Sequence, residues 1–550
     1  MPHTRLFSAL LLGWAVTAAA AQAPRIFYTD LESGPNSGGE NNGGAFVTIM
    51  GKRFGASAGQ SSYVTVGSGR VSNYPCWSDT KICIQLGSGA TTGSIIVTTP
   101  AGASNGVPFT VRAGKIHFVS PTGKDSNSGS FTSPWKTLLK ARDSMKPGDI
   151  TYAMSGVSQT TDDGQGWNTC MLLDTGGTSG MPVAIVAYPG ATVTMGNVRG
   201  NPGSAIRSRG RPNAGNWVFA GLTLRGEAAV VLAASDYWRF VNNDISCPTG
   251  DGPSACFETQ LASHIKFFGN NVHDTGTPKA SALYHGVYFS TDSNHVEVGW
   301  NTIANVHGCR GIQFHSSPLQ GGGPNDPTGH NQYDLSVHDN VIHDTQCDGI
   351  IFATVDPSQG KVEAYNNIIY SAGKGPANPE NSGNWACIYA PGSTNTGQQG
   401  GGVINIHNNT LFNCGTFASP PYDSSNAGIM NGAHNPNLVL QVSNNIVFES
   451  GKIPYLIGPK TGIRGSHNLF FGSGAFSGFP QVLNTIGKDP LFFNLAENDF
   501  HLMAGTAAHH AGTDVSAGID HDGMPRDGAT GFDIGAYQYS GVPQAAQGKR

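Results

Sequence analysis

The sequence predicts a solenoid of stacked parallel β-strands behind a small antiparallel β-sandwich, and three observations carry that expectation. The first is a repeat: eight octets share two inward apolar positions, an asparagine as sixth letter and an apolar eighth letter. They are WRFVNNDI from Trp238, IKFFGNNV from Ile265, VEVGWNTI from Val296, LSVHDNVI from Leu335, VEAYNNII from Val362, INIHNNTL from Ile404, LQVSNNIV from Leu440 and IRGSHNLF from Ile463. Their asparagines are Asn243, Asn270, Asn301, Asn340, Asn367, Asn409, Asn445 and Asn468, at intervals of 23 to 42 residues. Strand-sized repeats cannot bury a face alone and must stack. An inward asparagine can bond to its counterparts one coil above and below and tolerates left-handed backbone, which suits the corner between two strands. The second observation is composition, since 76 glycines and 12% charged residues beside 38% apolar residues describe many turns, few helices and a large core. The third is that residues 24–112 read as short alternating strands (AFVTIMG, YVTVG, ICIQLG, SIIVTTP) divided by Gly, Ser and Asn, as in a sandwich.

The elements follow in chain order. Residues 1–21 begin with His3 and Arg5, run apolar from Leu6 to Ala20 and end in small residues, which predicts a secretory signal cleaved after Ala21. The protein is therefore expected outside the cytoplasm, extracellular or periplasmic. Later stretches fall short of the roughly 20 apolar residues of a membrane span. A net charge of -5 without a basic run argues against nucleic acid or an anionic membrane as partner. Nine cysteines in an exported chain read as disulfides: Cys76–Cys83, Cys247–Cys256, Cys309–Cys347 and Cys387–Cys414, with Cys170 left over. Between Lys115 and Met154 a strand, a polar loop, an amphipathic helix from Trp135 to Met145 and a Pro-Gly-Asp turn lead into the solenoid. Such a helix would cap the first coil. The solenoid is expected over 113–540, as a monomer, with residues 541–550 a disordered tail.

Two resemblances sharpen this reading. GAFVTIMGKRFG, Trp77-Ser78-Asp79-Thr80 and TGSIIVTTPAGASNGVPFTVR resemble an immunoglobulin-like IPT/TIG domain over residues 24–112. From 115 to 540 the cap, the asparagine octets and the closing stretch DPLFFNLAENDFHL with DHDGMPRDGATGFDIGAYQY resemble secreted proteins of the pectate-lyase superfamily. That resemblance implies a right-handed parallel β-helix and a polysaccharide as substrate, with lyases, glycoside hydrolases, epimerases and non-catalytic adhesins all on the same fold. The sequence departs from it at His509-His510, where an apolar-acidic pair is expected; the choice there lies between surface variation and a metal-binding or pH-sensitive spot. No aspartate cluster of the calcium-site kind is legible, nor the polygalacturonase NTD, GHG or RIK motifs. The cofactor is left open, with calcium the one the resemblance would suit.

A second aligned strand supplies the chemistry: ACFETQ from Ala255, HGVYFS from His285, RGIQFH from Arg310, DGIIFA from Asp348, ACIYAP from Ala386 and AGIMNG from Ala427. Its third and fifth letters are mostly apolar and face inward, so the fourth and sixth face out. The outward letters include Glu258, Gln260, Tyr288, Ser290, Gln313, His315 and Tyr389. The first letters place His285, Arg310 and Asp348 in one column about 5 Å apart. Singly, each of these has a bland explanation as a turn or surface residue; together, on neighbouring coils, they favour a binding face. His273-Asp274 and His343-Asp344 recur after the octet asparagine and read as turn chemistry.

Hydrolysis of a glycoside needs two carboxyl groups about 5–9.5 Å apart. Glu258 and Asp348 stand three coils apart, about 14 Å, so loop acids such as Asp292, Asp326 or Asp356 would have to supply a partner. β-Elimination on a uronate instead needs a cation for the carboxylate, a base for the C5 proton and an acid for the leaving oxygen. Arg310 suits the first role, His285 or His315 the second and Tyr288 the third, with Asp348 orienting Arg310 and Glu258, Gln260, Gln313, His315 and Tyr389 binding substrate. The inserts Ser316–Gln332, Gly373–Trp385 and Thr394–Gly402 are expected to wall the groove.

Overall fold

The computed structural model describes residues 22–316, 331–375, 385–392, 401–416, 426–449, 453–476, 478–479, 483–526, 528 and 531–541. The chain is a right-handed parallel β-helix preceded by an antiparallel sandwich. Three parallel sheets wind together: a first of 12 strands from Ile116–Val119 to Ile463–Arg464, a second of 12 from Ser158–Gln159 to Thr485–Ile486, and a third of 10 from Leu172–Leu173 to Leu456–Ile457. A middle coil shows the plan, with Ile265–Phe268 in the first sheet, Asn271–Thr275 in the second and Tyr284–Ser290 in the third, before the next coil starts at Val296. The first, third and eighth octet letters fill the lumen, as Phe240, Phe267, Val298, Ile303 and Ile342 do. On the third sheet Phe289, Phe314 and Phe352 stack ring on ring at 5.1 and 5.5 Å. Burying such a side chain contributes about 1.5–3 kcal/mol, repeated coil after coil.

The octet asparagines form a continuous ladder. From Asn243 each Nδ2 donates to the next Oδ1, through Asn270, Asn301, Asn340, Asn367, Asn409, Asn445 and Asn468 to Asn484, at 2.9 to 3.1 Å. The left-handed backbone expected of these asparagines belongs instead to the residue before each. Asn242, Gly269, Trp300, Asp339, Asn366, Asn408, Asn444 and His467 have φ between 52° and 62°. The corner is thus turned by the fifth letter, while the sixth points inward and bonds.

The short helix spans Leu138–Ser144, with the Thr137 hydroxyl accepting from the Lys140 N–H as its N-cap. It starts later than the amphipathic pattern predicts because the Trp135 N–H donates to the Phe118 carbonyl at 2.9 Å and so belongs to the sheet. All four expected disulfides are present and Cys170 is free and buried.

Two of the three outer walls are covered. The sandwich packs against the first sheet, where Val218, Ala220, Val241 and Phe268 point outward into one apolar cluster with Ile26, Tyr28 and Phe46. Arg239 fastens the contact, its Nε donating to the Asp30 carbonyl at 3.0 Å and its Nη1 to Glu32 at 2.9 Å. The closing segment lies on the second sheet, with Phe492, Phe500, Ile534 and Tyr537 against Ile368, Ile446 and Leu469. It also reaches the sandwich through the Lys52–Asp522 ion pair. The ionisable columns stand on the third wall.

Candidate active site

The register of the third sheet places the aligned letters in the columns expected. Glu258 pairs with Tyr288, Tyr288 with Gln313, Gln313 with Ile351 and Ile351 with Tyr389. The outer column holds Gln260, Ser290 and His315. At the entry to these strands the Gly286 N–H donates to the Arg310 carbonyl at 2.9 Å, Gly311 to Asp348 at 3.0 Å and Gly349 to Ala386 at 3.0 Å. His285, Arg310 and Asp348 are therefore vertical neighbours on consecutive coils. Each precedes a glycine whose missing Cβ would point into the lumen, at Ile303 and Val306 for Gly286 and at Ile342 and Thr345 for Gly311. The glycine lets the chain swing inward, so the residue before it stays outside.

One connected network runs across these columns. The Arg310 Nε donates to Asp348 Oδ2 at 3.3 Å and its Nη1 to Gln313 Oε1 at 2.9 Å. Gln313 and Ser290 flank the Tyr288 hydroxyl, which lies 3.1 Å from His315 Nδ1. The disulfide Cys309–Cys347 joins the two coils one residue before Arg310 and Asp348, which fixes the spacing of that pair.

Burial differs from a surface ion pair. Asp348 is fully buried, its Oδ1 accepting from the Ala386 N–H at 3.0 Å. Loss of hydration pushes its carboxyl up to about 7, against the pull of the Arg310 guanidinium and the hydrogen bonds. His315 is pushed down to about 4 by burial and then by Arg310, so its imidazole is neutral across the physiological range. Tyr288 is raised by burial and keeps its proton.

The other expected site residues divide. His285 stands in the column but is 1% exposed, with Nδ1 unpartnered among the described residues and the ring edge-on to Tyr288 at 5.4 Å. Burial, and then the charge of Arg310, hold it well below the ordinary histidine range, so its imidazole stays neutral beside Tyr288. Glu258 accepts from the Ser254 hydroxyl at 2.7 Å and is raised by burial. Gln260 is exposed. Tyr389, two coils beyond Gln313, packs in an apolar cluster with Ile351 and Met430, and its phenol, raised by burial, also feels the charges of Asp348 and Arg310. His273 and His343 bond to Asp274 and Asp344 at 2.8 and 2.7 Å, and both aspartates have positive φ, as turn chemistry requires.

Of the loop acids, Asp356 caps its own turn, accepting from Ser358 and from the Gly401 N–H. Asp326 and most of the three inserts expected to wall the groove, residues 317–330, 376–384 and 393–400, lie outside the described residues, as do residues 1–21 and 542–550. Sequence reasoning missed a cluster higher on the same wall, Trp167 with Arg207 and Arg209. The alternation Ile206-Arg207-Ser208-Arg209 was its signal, since Arg207 and Val231 continue the Glu258 column upward.

Among the described residues, the Arg310 guanidinium with the single carboxylate of Asp348 does not suit calcium, which takes six to eight oxygen ligands. Among the described residues, the group of three that could hold a metal is His509, His510 and Asp533, in the closing segment. There Asp533 already accepts from His509 Nδ1 at 3.1 Å and from the His510 and Tyr539 N–H groups at 2.7 and 2.6 Å.

No family model matches the chain, and no curated protein matches it. Solved structures resemble it. Pectate lyase Pel9A has 16% identity and a TM-score of 0.48 over 77% of this chain and 96% of its own. A rhamnogalacturonan lyase has 14% identity and a TM-score of 0.41 over 78% and 97%. The family 28 exopolygalacturonase of Yersinia enterocolitica has 10% identity and a TM-score of 0.40 over 85% and 98%.

Proposed function

We propose that the chain is an exported polysaccharide-degrading enzyme that cleaves a uronate-containing glycan by β-elimination on the outer face of its third sheet. The observation that carries this reading is the network Asp348–Arg310–Gln313–Tyr288–His315, one cation set beside a neutral imidazole and a protonated phenol. Arg310 takes the sugar carboxylate, and neutralising that charge acidifies the proton at C5. His315 accepts the proton; the C5–H electrons form the C4–C5 double bond, the C4–O4 bond breaks, and Tyr288 protonates the departing oxygen. Part of what depresses His315 is the Arg310 charge, so a bound carboxylate strengthens the base as it arrives. His285 and Asp348 act through Tyr288 and Arg310, while Gln260 and Glu258 line the way along the groove.

Four disulfides support an oxidising compartment and so an exported protein. A hydrolytic reading finds less support, since Asp348 is engaged by Arg310 and the Ala386 N–H and stands three coils from Glu258, about 14 Å against the required 5–9.5 Å. The test is product chemistry on a panel of pectin, alginate and related uronate polymers, with and without chelator. Elimination releases chains ending in an ultraviolet-absorbing unsaturated uronate. Reducing ends without that absorbance would make the protein a hydrolase, and glycan retention without product would make it a binding protein.

A further inference from the structure

Above the Arg310 network the third wall carries a second cluster. Arg207 and Arg209 lie on the strand Ile206–Ser208 and just after it, with guanidinium carbons 5.8 and 5.7 Å from the ring centre of Trp167. Trp167 is 39% exposed, a large aromatic face open beside two cations. Arg209 is neutralised by its ion pair with Asp174. Arg207 makes no ion pair among the described residues; its Nη1 donates to the Trp167 carbonyl at 3.4 Å, which holds cation and ring together.

The register fixes where this cluster lies. Arg207 pairs with Val231, Val231 with Glu258, Glu258 with Tyr288 and Tyr288 with Gln313. Arg207 and Arg310 thus serve coils four apart, about 19 Å along one wall at the usual strand spacing. Between them stands Glu258, whose carboxyl is near enough to feel Arg207. An extended chain lying along this wall would meet a cation at each end of that span and an acid between.

We infer that Trp167 and Arg207 form a distal subsite for one anionic sugar of an extended uronate polymer, Trp167 stacking on the ring and Arg207 binding its carboxylate. The inference rests on the reading of Arg310 as the site for the sugar that reacts. With one ring spanning roughly a coil, a trimer at Arg310 is too short to reach Trp167 and a heptamer is long enough.

The experiment is calorimetric titration of the full chain carrying Tyr288→Phe, which removes the proposed acid, with trimers and heptamers of galacturonate and of mannuronate. The heptamer of the series that binds should bind at least about tenfold more tightly than its trimer, the gain expected of one charge-assisted contact. Adding Arg207→Ala or Trp167→Ala should abolish that gain and leave the trimer unchanged; Trp167 is exposed, so its variant keeps the fold. A carboxyl-reduced heptamer should show no gain that depends on Arg207. A heptamer no tighter than the trimer, or a gain that survives both substitutions, overturns the subsite and leaves the Arg310 reading standing. No binding at either length in either series overturns the Arg310 reading, and the subsite with it.

Discussion

Arg310 and Asp348 are 38 residues apart in the chain and one coil apart in space, where the Arg310 Nε donates to the Asp348 Oδ2 at 3.3 Å. The acid is fully buried and the base keeps an opening to the outside, so the pair presents a cation outward from a fixed anchor. Burying a carboxylate is costly, and here that cost sets the titration of the anchor.

The first prediction concerns pH. Asp348 sits at about 7 instead of 3.8, so below neutrality it takes a proton and loosens its hold on Arg310. kcat/KM should fall on the acid side with a midpoint near 7, and Asp348→Asn should flatten that limb and lower the plateau. Stability moves the other way. A folded pKa above the unfolded one means a contribution present below about 4 and lost as pH rises through about 7. The melting temperature of Asp348→Asn relative to the parent should therefore rise between pH 4 and pH 8, read by circular dichroism.

The second prediction concerns the ladder. Asn340 Oδ1 accepts from the Asn301 N–H and Nδ2, and its Nδ2 donates to the Val298 carbonyl and to Asn367. Asn340→Ala removes four buried hydrogen bonds, among them the one that satisfies the Asn301 N–H, and should cost about 3 kcal/mol or more in denaturant unfolding. Asn484→Ala, at the partly exposed end of the same ladder, should cost less.

That ladder was legible in the sequence because a period of two and a fixed asparagine letter have one physical solution, stacked strands with an inward amide. The left-handed corner was not, since Asn242, Asn366, Asn408 and Asn444 put asparagine in the fifth letter too, and composition alone cannot say which of two neighbours turns the chain. The column His285, Arg310, Asp348 followed from alignment of the third-sheet strands, but Asp348's burial depends on the Ala386 coil packing beside it, which spacing does not reveal. Docking of the sandwich had a signal that went unread: Val241 and Phe268 are outward octet letters yet apolar, and an outward apolar letter on a strand needs a cover. Trp167 and Arg207 escaped because the strands around them are two or three residues long and lie above the first octet.

The third prediction concerns a buried acid outside the site. Glu449 is fully buried, its Oε1 accepting from the Cys414 N–H at 3.4 Å and its Oε2 unpartnered among the described residues. Burial raises its carboxyl well above the ordinary range, so folding holds it neutral and stability is lost as pH rises above about 4.5. Glu449→Gln should match the parent near pH 4 and melt higher at pH 8, the gap opening with pH.

The fourth prediction concerns the bridge Cys309–Cys347, which closes a loop of 38 residues directly before the ion pair. Replacing both cysteines with serine should lower stability by about 4 kcal/mol on the chain-entropy estimate. It should also lower kcat, because the bridge sets the Arg310 to Asp348 spacing; unchanged kcat with lowered stability would confine the bridge to a structural part.

The most direct test of the account compares the parent with Arg310→Ala on a uronate polymer, following the absorbance of the unsaturated product while circular dichroism checks the fold. Loss of the guanidinium should lower kcat/KM at least about a hundredfold in a protein that melts as a folded chain, the scale of removing one preorganised charge from a transition state. Turnover of Arg310→Ala at the parent's rate, or equal turnover by the parent of a carboxyl-reduced polymer, would contradict this reading.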